Sequence, residues 1–150
     1  MNVETRIAAS SDLKELVSLV GQYHLFESIN STAQEREAAL VPLVTGNAET
    51  GFIAVAEANE TMVGYVAVCY GYTIEFGGRD AFVDEFYVTE AMRGAGAGSE
   101  LIKLAKKEAR KSGVLALHLE VSTDNVLAKR LYKRLGFQER DRFHLMSCRI

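Results

Sequence analysis

Cysteine is scarce in this chain: there are two, Cys69 and Cys148, both in apolar contexts and without C-x-x-C spacing. That pattern favours free thiols in a reducing compartment over a disulfide frame or a metal pair, and no metal-ligand set is legible. Proline occurs once, at position 42. No apolar run approaches the ~18–20 residues that cross a bilayer. Residues 1–6 show neither the apolar core nor the small-residue cleavage site of a secretory signal. The expectation is a soluble, cytoplasmic protein with no membrane partner. Charge of one sign is missing too: 17 Lys+Arg face 20 Asp+Glu, a formal net charge of −3. Without a global basic field there is no reason to expect nucleic acid, and any anion site must be local. What is present is globular composition, 48% hydrophobic and 25% charged, at odds with disorder or collagen-like repeats. A length of 150 residues suits a single domain over 1–150.

Along the chain, Ser10, Ser11 and Asp12 offer N-caps to a helix in which Leu13, Leu16, Val17 and Val20 recur at helical spacing. That helix is expected to stop near Gly21. A second spans about 32–44, disturbed near its end by Pro42. Residues 52–57 and 62–70 read as strands joined by the short hairpin connection 58–61. Residues 77–80 read as a loop before a third long strand, 81–88. A helix fits 98–112, with Leu101, Leu104, Ala105 and Ala109 inward. Lys103, Lys106, Lys107 and Arg110 point outward as a solvated face. Gly113 supplies a stop, 114–121 a strand, and Thr123 with Asp124 a cap for a helix over 125–135 that Gly136 ends. Residues 138–142 and 143–149 suit a terminal strand pair. Antiparallel strands followed by a β-α-β-α-β half give an α/β (α+β) chain with a mixed sheet.

The sharpest local signal is Arg93, Gly94, Ala95, Gly96, Ala97, Gly98: three glycines in five residues, between a strand and a basic amphipathic helix. Gly and Ala permit a tight turn and close ligand approach, and the helix N-terminus offers unpaired N–H groups and a positive dipole end. Together these suit a phosphate or pyrophosphate. A dinucleotide fingerprint would need glycine where Ser99 stands, and a P-loop would need Gly-Lys-Ser/Thr. Neither fits.

Arg93-Gly94-x-Gly96-x-Gly98 resembles the R/Q-x-x-G-x-G/A signature of the GNAT superfamily of N-acetyltransferases. The preceding Val83-Asp84-Glu85-Phe86-Tyr87-Val88 looks like that family's cofactor-carrying strand. Asn125-x-x-Ala128-x-x-x-Tyr132-x-x-x-Gly136-Phe137 is similar to its second signature. The resemblance is clear over 81–137 and, by element order, covers most of the chain. It implies a splayed mixed sheet of about six to seven strands with helices on both faces, and acetyl-coenzyme A in the splay. By resemblance, main-chain groups of Phe86, Tyr87 and Val88 pair with the pantetheine arm. The loop of Arg93, Gly94, Ala95, Gly96, Ala97, Gly98 and Ser99 holds the pyrophosphate. Asn125 hydrogen-bonds the arm, or is a plain helix N-terminal residue.

The reaction so implied needs an amine to lose a proton, an oxyanion to be stabilised and a thiolate to leave. Tyr132 stands where the family places the proton donor to the thiolate. Glu120 matches a position that supplies the base in some members. Asp84 and Glu85 are the other candidates, expected on opposite faces of their strand. Any of the three could instead pair with a lysine or cap a loop. Tyr23-His24-Leu25-Phe26-Glu27 sits where members form one wall of the acceptor pocket, with Tyr23, Phe26 and Glu27 the candidate contacts, and Tyr70, Tyr72, Glu75 and Phe76 could form the other. Aromatic walls with carboxylates suit a cationic amine, of a small molecule (polyamine-like or amino-acid-like) or of a peptide. A homodimer is within the resemblance, with no interface legible. A non-catalytic acyl-coenzyme A-binding regulator with the same fold is the competing reading; a mere binder needs neither Tyr132 nor the acidic residues.

Overall fold

Two long apolar runs separated by a polar tetrapeptide fold back on each other as β2 (Gly51–Ala58) and β3 (Thr61–Thr73), joined by Asn59 and Glu60. Both turn residues take positive φ, 50° and 60°, the twist a two-residue hairpin turn requires. The computed structural model describes residues 2–46 and 49–150. The other elements are β1 (Glu4–Ile7), α1 (Leu13–Phe26), α2 (Ala33–Val44), β4 (Gly78–Val88), α3 (Ala97–Lys111), β5 (Ala116–Leu119) and α4 (Val126–Arg134). The chain divides into two compact units, residues up to Glu120 and Val121–Ile150.

In the first unit the five strands lie in the order β1-β2-β3-β4-β5, antiparallel except for the parallel β4–β5 pair. One sheet face, with Ile53, Val55, Tyr65 and Ala67, packs against Leu16, Leu19 and Val20 of α1 and Leu40 and Val44 of α2. On the opposite face Gly64 meets Leu101 of α3, whose Leu101, Ile102 and Ala105 are fully buried. The mixed sheet with helices on both faces is therefore as expected.

Several boundaries differ from the sequence reading, each for a physical reason. The sheet has five strands among the described residues, fewer than the six to seven expected. Residues 138–150 form no strand and are largely exposed; no strand exists within Val121–Ile150 to pair with them. The short polar edge strand β1 has no periodicity to announce it, and is held from outside by Arg6, which pairs with Asp12 and Glu57. Residues 78–80, read as loop, extend β4. The strand expected over 114–121 is trimmed to Ala116–Leu119. The cap of α4 is Asn125, whose Oδ1 accepts from the Ala128 N–H at 3.1 Å, rather than Thr123 or Asp124.

Most consequential is α1, which runs through Gly21 to Phe26 instead of stopping. A Cβ at Gly21 would lie 3.0 Å from an Arg36 guanidinium nitrogen. Glycine there makes room for Arg36 to cross the helix and is no terminator. α2 starts as expected, with a reciprocal capping box: the Glu35 N–H donates to Thr32 Oγ1 at 3.2 Å and the Thr32 N–H to Glu35 Oε2 at 2.7 Å.

Candidate active site

The sheet opens where the resemblance expects it to. β4 pairs with β5 only from Asp80 to Val83, whereas on its other side it pairs with β3 through Val88. Among the described residues no strand pairs with β4 on its β5 side from Asp84 to Val88, the stretch that holds Phe86, Tyr87 and Val88. A peptide-like arm can add to such an edge by main-chain hydrogen bonds.

The glycine loop follows at once. Gly94 and Gly96 take φ of 80° and 92°, conformations that other residues reach only with strain, and Gly96 is the N-cap of α3. The first bond from a turn of α3 runs from the Glu100 N–H to the Gly96 carbonyl, 3.1 Å. The amides of Ala97, Gly98 and Ser99 precede it and are the helix's orphan donors, at its positive end. Arg93 ties the loop to the strand, its Nε donating to the Val88 carbonyl at 3.2 Å. Its guanidinium sits 5.2 Å from the Phe26 ring centroid and 5.9 Å from that of Tyr87. Two glycine turns, the Arg93 cation and the first amides of a helix are the groups a pyrophosphate needs, and all stand within residues 93–99.

Asp84 and Glu85 have different surroundings. The β3–β4 register pairs Ala67 with Glu85 and Val68 with Val83, so Asp84 is the extra residue of a bulge. The strict alternation expected to send the two carboxylates to opposite faces is thereby interrupted, and the charges of both reach Tyr23 and Tyr65. Glu85 is engaged at both oxygens: Tyr65 donates to Oε2 at 2.7 Å, and His24 Nε2 lies 2.6 Å from Oε1. Asp84 reaches solvent, yet partial desolvation and then the adjacent Glu85 charge push its carboxyl up.

Tyr23 is where the acidic residues converge. Its phenol is pushed up to about 12, first by burial and then by Glu27, Glu85, Asp84 and Glu120. Its ring meets those of Tyr87 at 5.9 Å and Tyr65 at 6.4 Å. Thus α1, β4 and the residue just after β5 bring their carboxylates to one aromatic cluster beside the free edge. Tyr70 does not join it: its hydroxyl donates to Ser112 Oγ at 2.7 Å after α3, with Arg79 over its ring. His118 is partnered elsewhere, 3.4 Å from Asp80 and stacked edge-on with Phe76.

Tyr65 escaped the sequence reading, and His24 was read only as part of a wall. Alternation in β3 places Tyr65 opposite the helices, and a buried tyrosine needs a partner for its hydroxyl; only the register says that the partner is Glu85. His24 lies within the Tyr-His-Leu-Phe-Glu string of the expected wall. In the second unit, Tyr132 is buried in α4 against Phe137, ring centroids 5.7 Å apart, and Asn125 caps that helix.

A strand edge left by β5, a glycine-led helix N-terminus and an aromatic cluster with carboxylates around it lie together in the first unit. The sequence model of the acetyltransferase (GNAT) family matches residues 16–137, and the chain belongs to that family of acetyl-coenzyme A-dependent N-acetyltransferases. It is similar to an uncharacterized N-acetyltransferase of Methanocaldococcus jannaschii, 37% identical over 94 residues, covering 62% of this chain and 41% of that one. The thialysine N-epsilon-acetyltransferase of Bos taurus is 30% identical over 147 residues, covering 91% of this chain and 85% of the bovine protein. Among solved structures, an integron cassette protein from the mobile metagenome of Cole Harbour Salt Marsh superposes with a TM-score of 0.85. It is 28% identical, and the match covers 96% of this chain and 89% of that one.

Proposed function

We propose that the chain, acting over residues 1–150 as one catalytic domain, transfers an acetyl group from acetyl-coenzyme A to a small primary amine carrying a second positive charge. The observation that carries this reading is the convergence of Glu27, Asp84, Glu85 and Glu120 on Tyr23. An acid-ringed aromatic cluster attracts and holds a protonated amine. The bovine relative is named for acetylating thialysine, and a compact amine of that size suits such a cluster. The free β4 edge would hold the pantetheine arm, and Arg93 with the amides of Ala97, Gly98 and Ser99 the pyrophosphate.

In this reading Asp84 is the base. Glu85 already accepts at both oxygens, whereas Asp84 has the raised carboxyl that a proton acceptor needs. Directly or through water, it takes the proton of the ammonium. The free amine attacks the thioester carbonyl carbon, a new C–N bond forms and the C–S bond breaks. A main-chain N–H at the Val88 end of the free edge steadies the oxyanion. The nitrogen sheds its second proton to solvent as the amide forms, and Tyr132 gives its phenolic proton to the departing thiolate and is reprotonated from solvent.

Thiol release from acetyl-coenzyme A, measured with thialysine, lysine, putrescine, spermidine, neamine and glucosamine 6-phosphate, tests the proposal. Dicationic amines are expected to lead. Coenzyme A binding without thiol release for any amine defeats it in favour of a non-catalytic binder. Tyr132→Phe keeps the ring and is expected to lower kcat about 10²–10³-fold with coenzyme A affinity within a few-fold, the usual loss for a general acid. Full activity makes Tyr132 structural.

A further inference from the structure

We propose that His24 is a positioning residue that clamps Glu85 as the fixed anion facing the acceptor's ammonium, its own tautomer being set by Ser31 and Arg36. The proposal rests on the acetyltransferase reading above and deepens it. The geometry forms one continuous chain. Tyr65 donates to Glu85 Oε2 at 2.7 Å; Glu85 Oε1 is 2.6 Å from His24 Nε2; His24 Nδ1 is 2.6 Å from Ser31 Oγ; Arg36 lies 3.1 Å from that Oγ. Arg36 is itself anchored, donating to the Ser31 carbonyl at 2.9 Å and to the Val17 carbonyl of α1 at 3.1 Å.

A guanidinium only donates, so Ser31 Oγ accepts from Arg36 and keeps one proton and a second lone pair. The proposed arrangement sends that proton to His24 Nδ1 rather than letting the hydroxyl accept a second time. A neutral imidazole that accepts at Nδ1 carries its hydrogen on Nε2, so it donates to Glu85. His24 and Tyr65 thus hold the two oxygens of Glu85 from opposite ends. His24 and Glu85 are mostly buried, with side-chain exposures of 14% and 19%, so the clamp is little diluted by water. It fixes where the negative charge of Glu85 sits and leaves proton transfer to Asp84.

The test has two arms. In the first, nitrogen-15 spectra of wild type near pH 8.5 are expected to show His24 protonated at Nε2 alone, and Ser31→Ala to mix the tautomers. In the second, His24→Met fills the space without a donor, while His24→Gln offers an amide N–H at about the reach of Nε2. With putrescine, or the best dicationic amine of the panel, His24→Met is expected to raise the amine KM about tenfold, the loss of one charge-assisted hydrogen bond. kcat and the KM for acetyl-coenzyme A stay within about threefold, and His24→Gln restores the amine KM. A dominant Nδ1–H tautomer, an unchanged amine KM in His24→Met, or a loss confined to kcat overturns the clamp while amine acetylation by wild type stands. The reverse pattern, an Nε2–H His24 with no amine acetylated, overturns the acetyltransferase reading.

Discussion

Asp84 and Glu85 are neighbours in sequence with the same charge, and the fold surrounds them differently: Tyr65 and His24 hold the oxygens of Glu85, whereas Asp84 is exposed. Desolvation and the Glu85 charge raise the Asp84 carboxyl above its unfolded value. A raised carboxyl adds stability while it is protonated and loses that contribution as pH climbs through its folded-state titration. At pH 8 the charged Asp84 is therefore a cost to folding, which Asn removes. Asp84→Asn is expected to lower kcat/KM about 10²–10³-fold while its Tm at pH 8, read by scanning calorimetry, is no lower than wild type. Removing the neighbouring anion acts on the same titration: Glu85→Gln is expected to move the acid limb of kcat/KM to lower pH. A limb that stays, or moves up, rules out Asp84 as the titrating base. Gly96, at φ 92°, gives a third residue-scale test. Gly96→Val strains the cap of α3 and puts a branched side chain beside the orphan amides. Acetyl-coenzyme A affinity should fall at least about tenfold, roughly 1.4 kcal/mol, by calorimetry on a folded variant.

Among the elements, β4 carries most of the proposed site, and among the described residues β3 alone pairs with it beyond Val83. Gly64 is where that contact is tightest. A Cβ there would lie 2.8 Å from the Tyr87 carbonyl oxygen and 3.2 Å from Leu101 Cδ1. The first neighbour is backbone and cannot swing aside. Gly64→Ala is therefore expected to destabilise by about 1–3 kcal/mol, the usual cost of overpacking a filled site, measured by urea unfolding. A stability equal to wild type would mean that the end of β4 shifts freely, at odds with its pairing through Val88. Helix α1 makes the complementary point. Its extra turn beyond Gly21 carries Tyr23, His24 and Phe26, so a helix that stopped at Gly21 would have left the cluster without its wall.

Across the whole molecule a net charge of −3 is nearly neutral for 150 residues; what counts is where the charges fall. Carboxylates gather at Tyr23, while the cradle before α3 presents Arg93 and a helix N-terminus. In the proposed reading the carboxylates serve a cationic acceptor and the cradle an anionic cosubstrate. Screening works against such attraction, so kcat/KM for a dicationic amine is expected to fall as ionic strength rises, while that for a neutral-tailed amine changes less. Equal salt dependence for both, or a preference for glucosamine 6-phosphate, rules out the electronegative acceptor side.

Much of this was legible in the residues themselves, because the signals are local. A three-glycine loop before an amphipathic helix and a hairpin of two apolar runs around a short polar connection are decided within a few residues by backbone sterics and hydrophobic pattern. The glycine loop and the two signatures were enough to point to the family and to the strand on which its site is built. The bulge at Asp84, the end of β4–β5 pairing at Val83 and the partners of Glu85 were not legible. Each depends on which residue of a distant strand or helix arrives opposite. Tyr65, His24 and Arg36 are ordinary core and surface choices until β3, α1 and α2 close around Glu85. Gly21 shows the same limit from the other side, since a helix terminator and a glycine that admits an arginine are identical in sequence. Local chemistry determined the class; the register of β3 on β4 and the crossing of α1 by Arg36 decided the site, because hydrogen-bond partners far apart in the chain are chosen by packing alone.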